Sequence, residues 1–275
     1  MRLFLIPIST KRALIYARPL RKDLAKELSY LDRLTTKAAE TWAKWEEADK
    51  GWKMHLVKWG NSVQQRIPYE EWALKSIPSF KTQQKINADH GKTKIDVLFP
   101  GNAVRLERIQ SVLRTIATER QEFHRKRLTW CLFGAPITAP FGLIPVVPNI
   151  PFFYLAYRGW SHWRALNGSK HLEHLVENDL LNPISLPELE QLYAKRASYT
   201  LENTSVGTSY SEIAENIEQS SEDQLLLKMS DAKKLAAMLE APELVLEAER
   251  AIIQVSEQIA AAAKSKAEKQ DEKED

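Results

Sequence analysis

Residues able to do chemistry are few in this chain, and their spacing limits what they can do. His171 and His174 stand at i and i+3, a spacing that lets two imidazoles on one helix face share a metal ion. No third ligand accompanies them in a recognisable pattern, so neither a metal nor another cofactor is expected. Cys131 is the single cysteine of 275 residues, which excludes an intramolecular disulfide framework and any multi-cysteine metal site. It reads as a small hydrophobe in a core. His162, between Trp160 and Trp163, could follow pH, although the plainer reading is an imidazole at an interface. No glycine-rich phosphate loop, nucleophile elbow or paired-carboxylate constellation is present, and the chain is not expected to be an enzyme.

The segment holding Cys131 is the most informative. Residues 128–157 contain no Asp, Glu, Lys or Arg, whereas these make up 27% of the chain. Such a run is long enough to enter lipid, but Pro136, Pro140, Pro145, Pro148 and Pro151 each remove a backbone donor and argue against one straight span. Two arms folded at the PVVPN corner resolve the conflict, with Pro145, Pro148, Asn149 and Pro151 forming the turn. Both flanks are basic: Arg125, Lys126 and Arg127 before the run, Arg158, His162 and Arg164 after it. With Tyr157, Trp160 and Trp163 they read as interfacial anchors, which places both ends on one side of a membrane. The alternative is a proline-shaped core hairpin covered by protein.

The remaining elements are mainly helical. RLFLIPIS and RALIYA predict two short strands around a turn at residues 9–12, and Ile95 to Phe99 predicts at most one more. Between them lies a helical pattern with Trp42, Trp45, Trp52 and Trp59. A long helix capped by Asn102 is expected to run into the apolar segment until Gly134 and Pro136, followed by short helices over HLEHLVENDL and SLPELEQLYAKRASY. The expected architecture is therefore mainly α, with a short N-terminal β-hairpin, long helices, a Pro-rich apolar membrane hairpin at residues 128–157 and a helical C-terminal tail. Its regions are a basic, Trp-rich part at 1–100, the long helix, hairpin and following helices at 101–200, a linker at 201–211, and an acidic helical tail at 212–275 whose last dozen residues are expected to be unstructured. Charge is split accordingly. Up to Arg127 there are 26 Lys and Arg against 14 Asp and Glu; after it there are 13 against 22. A basic front half suits anionic lipid, RNA or an acidic protein.

MRLFLIPISTKRALIYARP and PNIPFFYLAYRGWSHWRALNG together resemble the fungal mitochondrial potassium/proton exchange-related protein family. The resemblance implies the mitochondrial inner membrane, a part in potassium/proton exchange and cation homeostasis, and no known catalytic residues. Ion exchange through lipid usually needs a carboxylate or histidine in the apolar phase whose proton competes with the cation, and residues 128–157 hold neither. The expected role is an accessory or assembly factor with both basic flanks in the matrix. Its expected partners are membrane lipids such as cardiolipin and protein subunits of the exchange system. Two alternatives stay open: a pore-forming subunit of a homo-oligomer, and an RNA-binding protein docked at the mitochondrial ribosome.

Overall fold

The computed structural model describes residues 1–18, 66–79, 94–140, 149–200, 214–215 and 222–274. The chain divides into two compact units, residues 1–18 with 69–275, and residues 19–68. All elements below belong to the first. The helical pattern around Trp42, Trp45, Trp52 and Trp59, the corner at Pro145 and Pro148, and the linker at 201–211 lie outside the described residues.

The β-branched and aromatic runs at the N-terminus form strands β1 (Arg2–Pro7) and β2 (Ala13–Arg18), paired antiparallel with Leu5 opposite Ile15. Ser9 closes their turn, its Oγ accepting from the Arg12 amide at 3.1 Å. Two further strands extend this hairpin into a mixed sheet of order β2-β1-β3-β4. β3 (Ile95–Phe99) runs parallel to β1, and β4 (Leu181–Ser185) runs parallel to β3. The sequence reading passes over β4 because Asn182 and Pro183 are poor strand formers; an edge strand tolerates them, since one row of its backbone groups needs no partner. β1 is buried on both faces, which explains its unbroken apolar run in place of an alternation.

Among the described residues the helices are, in chain order, α1 (Tyr69–Ser76), α2 (Leu106–Thr118), α3 (Gln121–Thr138), α4 (Ile150–Glu177), α5 (Pro187–Thr200), α6 (Met229–Met238) and α7 (Leu244–Glu274). The single helix expected from Asn102 onward is instead two. Asn102 is buried and donates to the Glu190 carbonyl at 2.8 Å, α2 begins after Arg105, and the chain breaks at Arg120, whose guanidinium turns to Glu70 at 2.8 Å. Conversely, HLEHLVENDL is the end of the 28-residue α4 and not a separate helix. α3 also runs through Gly134 and Pro136 to Thr138. α6 and α7 share the core of the sheet: Leu235, Leu244, Ala248, Ala251 and Val255 are fully buried in the cluster that holds Leu3, Leu5 and Ile15. α7 continues as helix to Glu274, where an unstructured end was expected.

α4 can approach α1 closely because its inward seam is small. Ser161, Ala165, Gly168 and Ser169 are all buried, and a Cβ on Gly168 would lie 2.0 Å from the Leu74 carbonyl oxygen. Small residues give helices this proximity. Gly168→Ala should therefore force the backbones apart and cost about 1–3 kcal/mol. Gly134→Ala would meet only a Leu155 methyl at 3.2 Å and should be nearly neutral, since alanine also gains helix propensity. Urea midpoints of the two variants check the contrast.

Candidate functional site

α3 and α4 form an antiparallel helical hairpin, closed at its far end by one side chain. Asn149 Oδ1 accepts from the Phe152 amide at 3.2 Å and so caps α4. Its Nδ2 donates to the Thr138 and Ala139 carbonyls at 2.9 and 3.2 Å, satisfying the last turn of α3 as well. Pro151 stands in the first turn of α4, where its missing N–H costs nothing. Down the hairpin Leu155 covers Gly134, and Cys131 covers Gly159, where an added Cβ would meet the cysteine Cβ at 3.2 Å.

At the near end the seam turns polar. α1 presents Glu71 and Lys75 one turn apart. α4 presents Arg158, Ser161 and His162 at i, i+3 and i+4, and α3 adds His124. The Glu71 side chain is fully buried. Arg158 grips it with two parallel bonds, Nη1 to Oε1 at 2.8 Å and Nη2 to Oε2 at 3.0 Å. Ser161 Oγ donates to Oε1 at 2.5 Å and accepts from Lys75 Nζ at 3.0 Å. Burial alone would raise the Glu71 pKa, but the hydrogen bonds from Arg158 and Ser161 and the charges of Arg158 and Lys75 outweigh it and hold the carboxylate below its ordinary value. Lys75 is lowered, chiefly by its own burial.

The two histidines are buried as well, at 1% and 2% exposure, and their Nδ1 atoms stand 3.1 Å apart. Their tautomers follow from the neighbours. Arg158 Nη2 can only donate, so His162 Nε2, 3.0 Å away, must accept. The proton of neutral His162 is then on Nδ1 and is given to His124 Nδ1, which leaves the His124 proton on Nε2. That atom is buried and has no partner among the described residues. Desolvation lowers both imidazoles, His124 to about 4, with the charges of Arg120, Arg158 and Lys75 adding to the effect on His124 and that of Glu71 opposing it. Both rings are neutral at physiological pH.

Glu71, His124 and His162 place one ligand atom each within 4.8 Å of the others, as a metal site would. The surrounding donors fit a proton better. The Arg158 fork and Ser161 already occupy the carboxylate. A metal on His162 Nδ1 would move the ring proton to Nε2, against the Arg158 donor, and buried Arg158 and Lys75 would repel a cation. The other histidine pair does not converge on a metal: His171 Nδ1 bonds the Pro78 carbonyl at 2.6 Å, while His174 Nδ1 meets the Asn178 amide at 3.0 Å.

The residues read from sequence as interfacial anchors thus divide. Arg125, Lys126, Tyr157 and Trp163 are exposed, and exposed Arg127 lies over the Phe123 ring at 5.3 Å. Arg158 and His162 turn inward, because the buried Glu71 carboxylate requires a cation and α4 supplies it from that face. Trp160 is half-buried with its Nε1 enclosed, and Arg164 is half-buried. Glu71 carries no sequence signal, since it lies in a short helical stretch between Pro68 and Pro78 where nothing local points to residues more than fifty positions away.

A small mixed sheet with a long helical hairpin docked through a buried carboxylate–guanidinium–imidazole cluster defines the class. The chain belongs to the mitochondrial K+-H+ exchange-related family, whose pattern matches residues 2–176 and thus β1 to β3 and all but the last residue of the hairpin helices. It is 29% identical to an uncharacterised Schizosaccharomyces pombe protein over 192 residues, 70% of this chain and 81% of that one. It is 27% identical to an uncharacterised Saccharomyces cerevisiae protein over 275 residues, 91% of this chain and 83% of that one. No solved structure matches the chain.

Glu71→Ala should leave Arg158 and Lys75 buried without their counter-charge and cost about 3–5 kcal/mol, whereas Glu71→Leu with Arg158→Met should recover most of it. Chemical unfolding of the three proteins measures this. The pH dependence has a definite sign. Both imidazoles of the pair are held below their ordinary 6.5 in the fold, so the unfolded chain binds more protons between about 4 and 6.5. Stability should be full above pH 6.5 and fall by up to about 3 kcal/mol as pH drops toward 4. Glu71, held low, adds a further loss at lower pH still. Unfolding midpoints at pH 7.5, 5.5 and 4.5 test this, with a flatter profile expected for His124→Phe.

Proposed function

We propose that this protein acts at the matrix face of the mitochondrial inner membrane as an accessory or assembly factor of K+-H+ exchange, held there by the outer half of its α3–α4 hairpin. The observation that carries the reading is an uncovered apolar stripe. Trp130, Phe133 and Ile137 recur at i, i+3 and i+7 on α3 and are 73%, 70% and 73% exposed, and Phe153 on α4 is 65% exposed. Lys126 heads the stripe one turn before Trp130, and Arg125 and Arg127 flank it, the order in which a helix meets anionic headgroups and then acyl chains. Charge complementarity favours a lipid leaflet, cardiolipin included, as the occupant.

The depth is limited. No helix among the described residues is long and apolar enough to cross a membrane. The uncharged turns of α3 from 128 to 138 reach about 16 Å and those of α4 from 150 to 157 about 12 Å, against a hydrocarbon core of about 30 Å. A hairpin inserted into one leaflet suits these lengths. The buried carboxylate, the cations and the histidines lie at its base, and the described apolar arms carry no Asp, Glu, Lys, Arg or His, which supports a helper of the exchange system over a cation path through this chain alone.

Phe133→Glu with Ile137→Glu replaces two exposed side chains and should weaken co-sedimentation with cardiolipin-containing vesicles more than tenfold while leaving circular dichroism unchanged. Equal binding by the variant would remove the lipid reading. Purified protein in liposomes should give no potassium-driven proton flux by itself; flux without other components would make it a pore-forming subunit.

A further inference from the structure

The proton is the one ligand for which the hairpin base is built, and the hydrogen-bond pattern says where it would bind. We propose that His124 and His162 form a binding site for a single proton, and that its occupancy is transmitted through Arg158 to the docking of α4 on α1. This deepens the exchange reading above, because it gives the chain a response to one of the two exchanged ions.

The neutral pair has four ring nitrogens and two protons, on His162 Nδ1 and His124 Nε2. A third proton cannot go to His124 Nδ1 without setting two N–H groups against each other at 3.1 Å. The remaining acceptor is His162 Nε2, which Arg158 Nη2 occupies at 3.0 Å. Uptake must therefore displace one arm of the guanidinium. The new imidazolium gains Glu71 as its counter-charge, since Oε2 lies 3.7 Å from His162 Nδ1. Arg158 and the imidazolium then compete for one carboxylate, and that carboxylate is what joins α1 to α4.

The surrounding charges set the pH at which this happens. α1 contributes Glu71 and Lys75; Arg120 and Arg127 come from the start and first half of α3, and Arg158 from α4. Behind Lys75 stand Glu247 and Arg250 of α7. Burial of both rings is the main cause that keeps the pair empty at neutral pH; Glu71 opposes it, and the cations, of which Arg120 is paired with Glu70, add to it and shift uptake to the acid side. Phe123 sets its ring edge against both imidazoles, at 5.6 and 6.0 Å, and is itself 38% exposed, so it covers the pair on the side toward solvent. His124 Nε2–H is buried and has no hydrogen-bond partner among the described residues.

The test is 15N imidazole NMR of the purified full chain from pH 7.5 to 4.5, without membrane. Neutral samples should show His162 protonated on Nδ1 and His124 on Nε2. Acidification should add one proton to the pair in a single joint step below pH 6, with a concurrent change in the Arg158 side-chain resonances. Arg158→Gln should move the step up by about one pH unit or more, and Arg127→Gln, which removes only an exposed charge, should move it up by less. Independent titration of the rings near their ordinary value, the opposite tautomers, or a step indifferent to both variants would overturn the proposal. So would stoichiometric Zn2+ binding that shifts both rings, which would make the site a metal centre. Loss of vesicle binding in the Phe133 and Ile137 double variant leaves this titration unaltered, so the two readings fail separately.

Discussion

The ion pair between Glu71 and Arg158 is the constraint around which the rest is arranged. A carboxylate with no exposed surface is tolerable only where a cation and further donors reach it, and here a two-toothed guanidinium grip and a serine hydroxyl do so. The demand propagates. Arg158 must face α1, so Ser161 and His162 face it as well, one turn on. α4 must lie close enough for these contacts, and Ser161, Ala165 and Gly168 permit it. With His162 inside, His124 is brought against it, and the break at Arg120 lets α3 begin at the angle this contact needs.

The same pair divides the hairpin into two regimes. Below Arg158, α4 is packed on α1 and α2 and belongs to the core of the sheet, with Leu172 and Leu175 buried. Above it, α4 packs along α3 and carries its aromatic residues outward. The hairpin is thus an arm whose base is fixed by charge and whose tip is fixed by Asn149 bridging two helix ends. Between them the contacts are small, glycine against leucine and cysteine against glycine, which keeps the arms close without occupying the outer faces. Those faces are where Trp130, Phe133, Ile137 and Phe153 are displayed.

This arrangement places the histidine pair at the foot of the apolar arm. Any change in the grip of Arg158 acts at the junction between core and arm, the position from which a small displacement is carried furthest along a stiff helix. On the two readings proposed above, lipid contact by the arm and proton uptake at its base would meet at this junction.

Much of the architecture was legible in the residues. β1, β2 and β3, the two-armed apolar segment and the capping role of Asn149 follow from local signals: β-branched runs, an absence of charge, prolines with an asparagine between them. β4 was not, because Pro183 masks a strand that only the sheet edge accommodates, and the break at Arg120 was not, because helical periodicity runs through it. The site was least legible. Arg158 and His162 read as interfacial anchors beside an aromatic belt, and nothing near Glu71 singles it out. The sequence by itself determined the elements and which stretch lacks charge, since both are properties of neighbouring residues. Only the tertiary structure decided which charges face inward, because a carboxylate and a guanidinium 87 positions apart acquire their meaning from a 2.8 Å separation that no local pattern encodes.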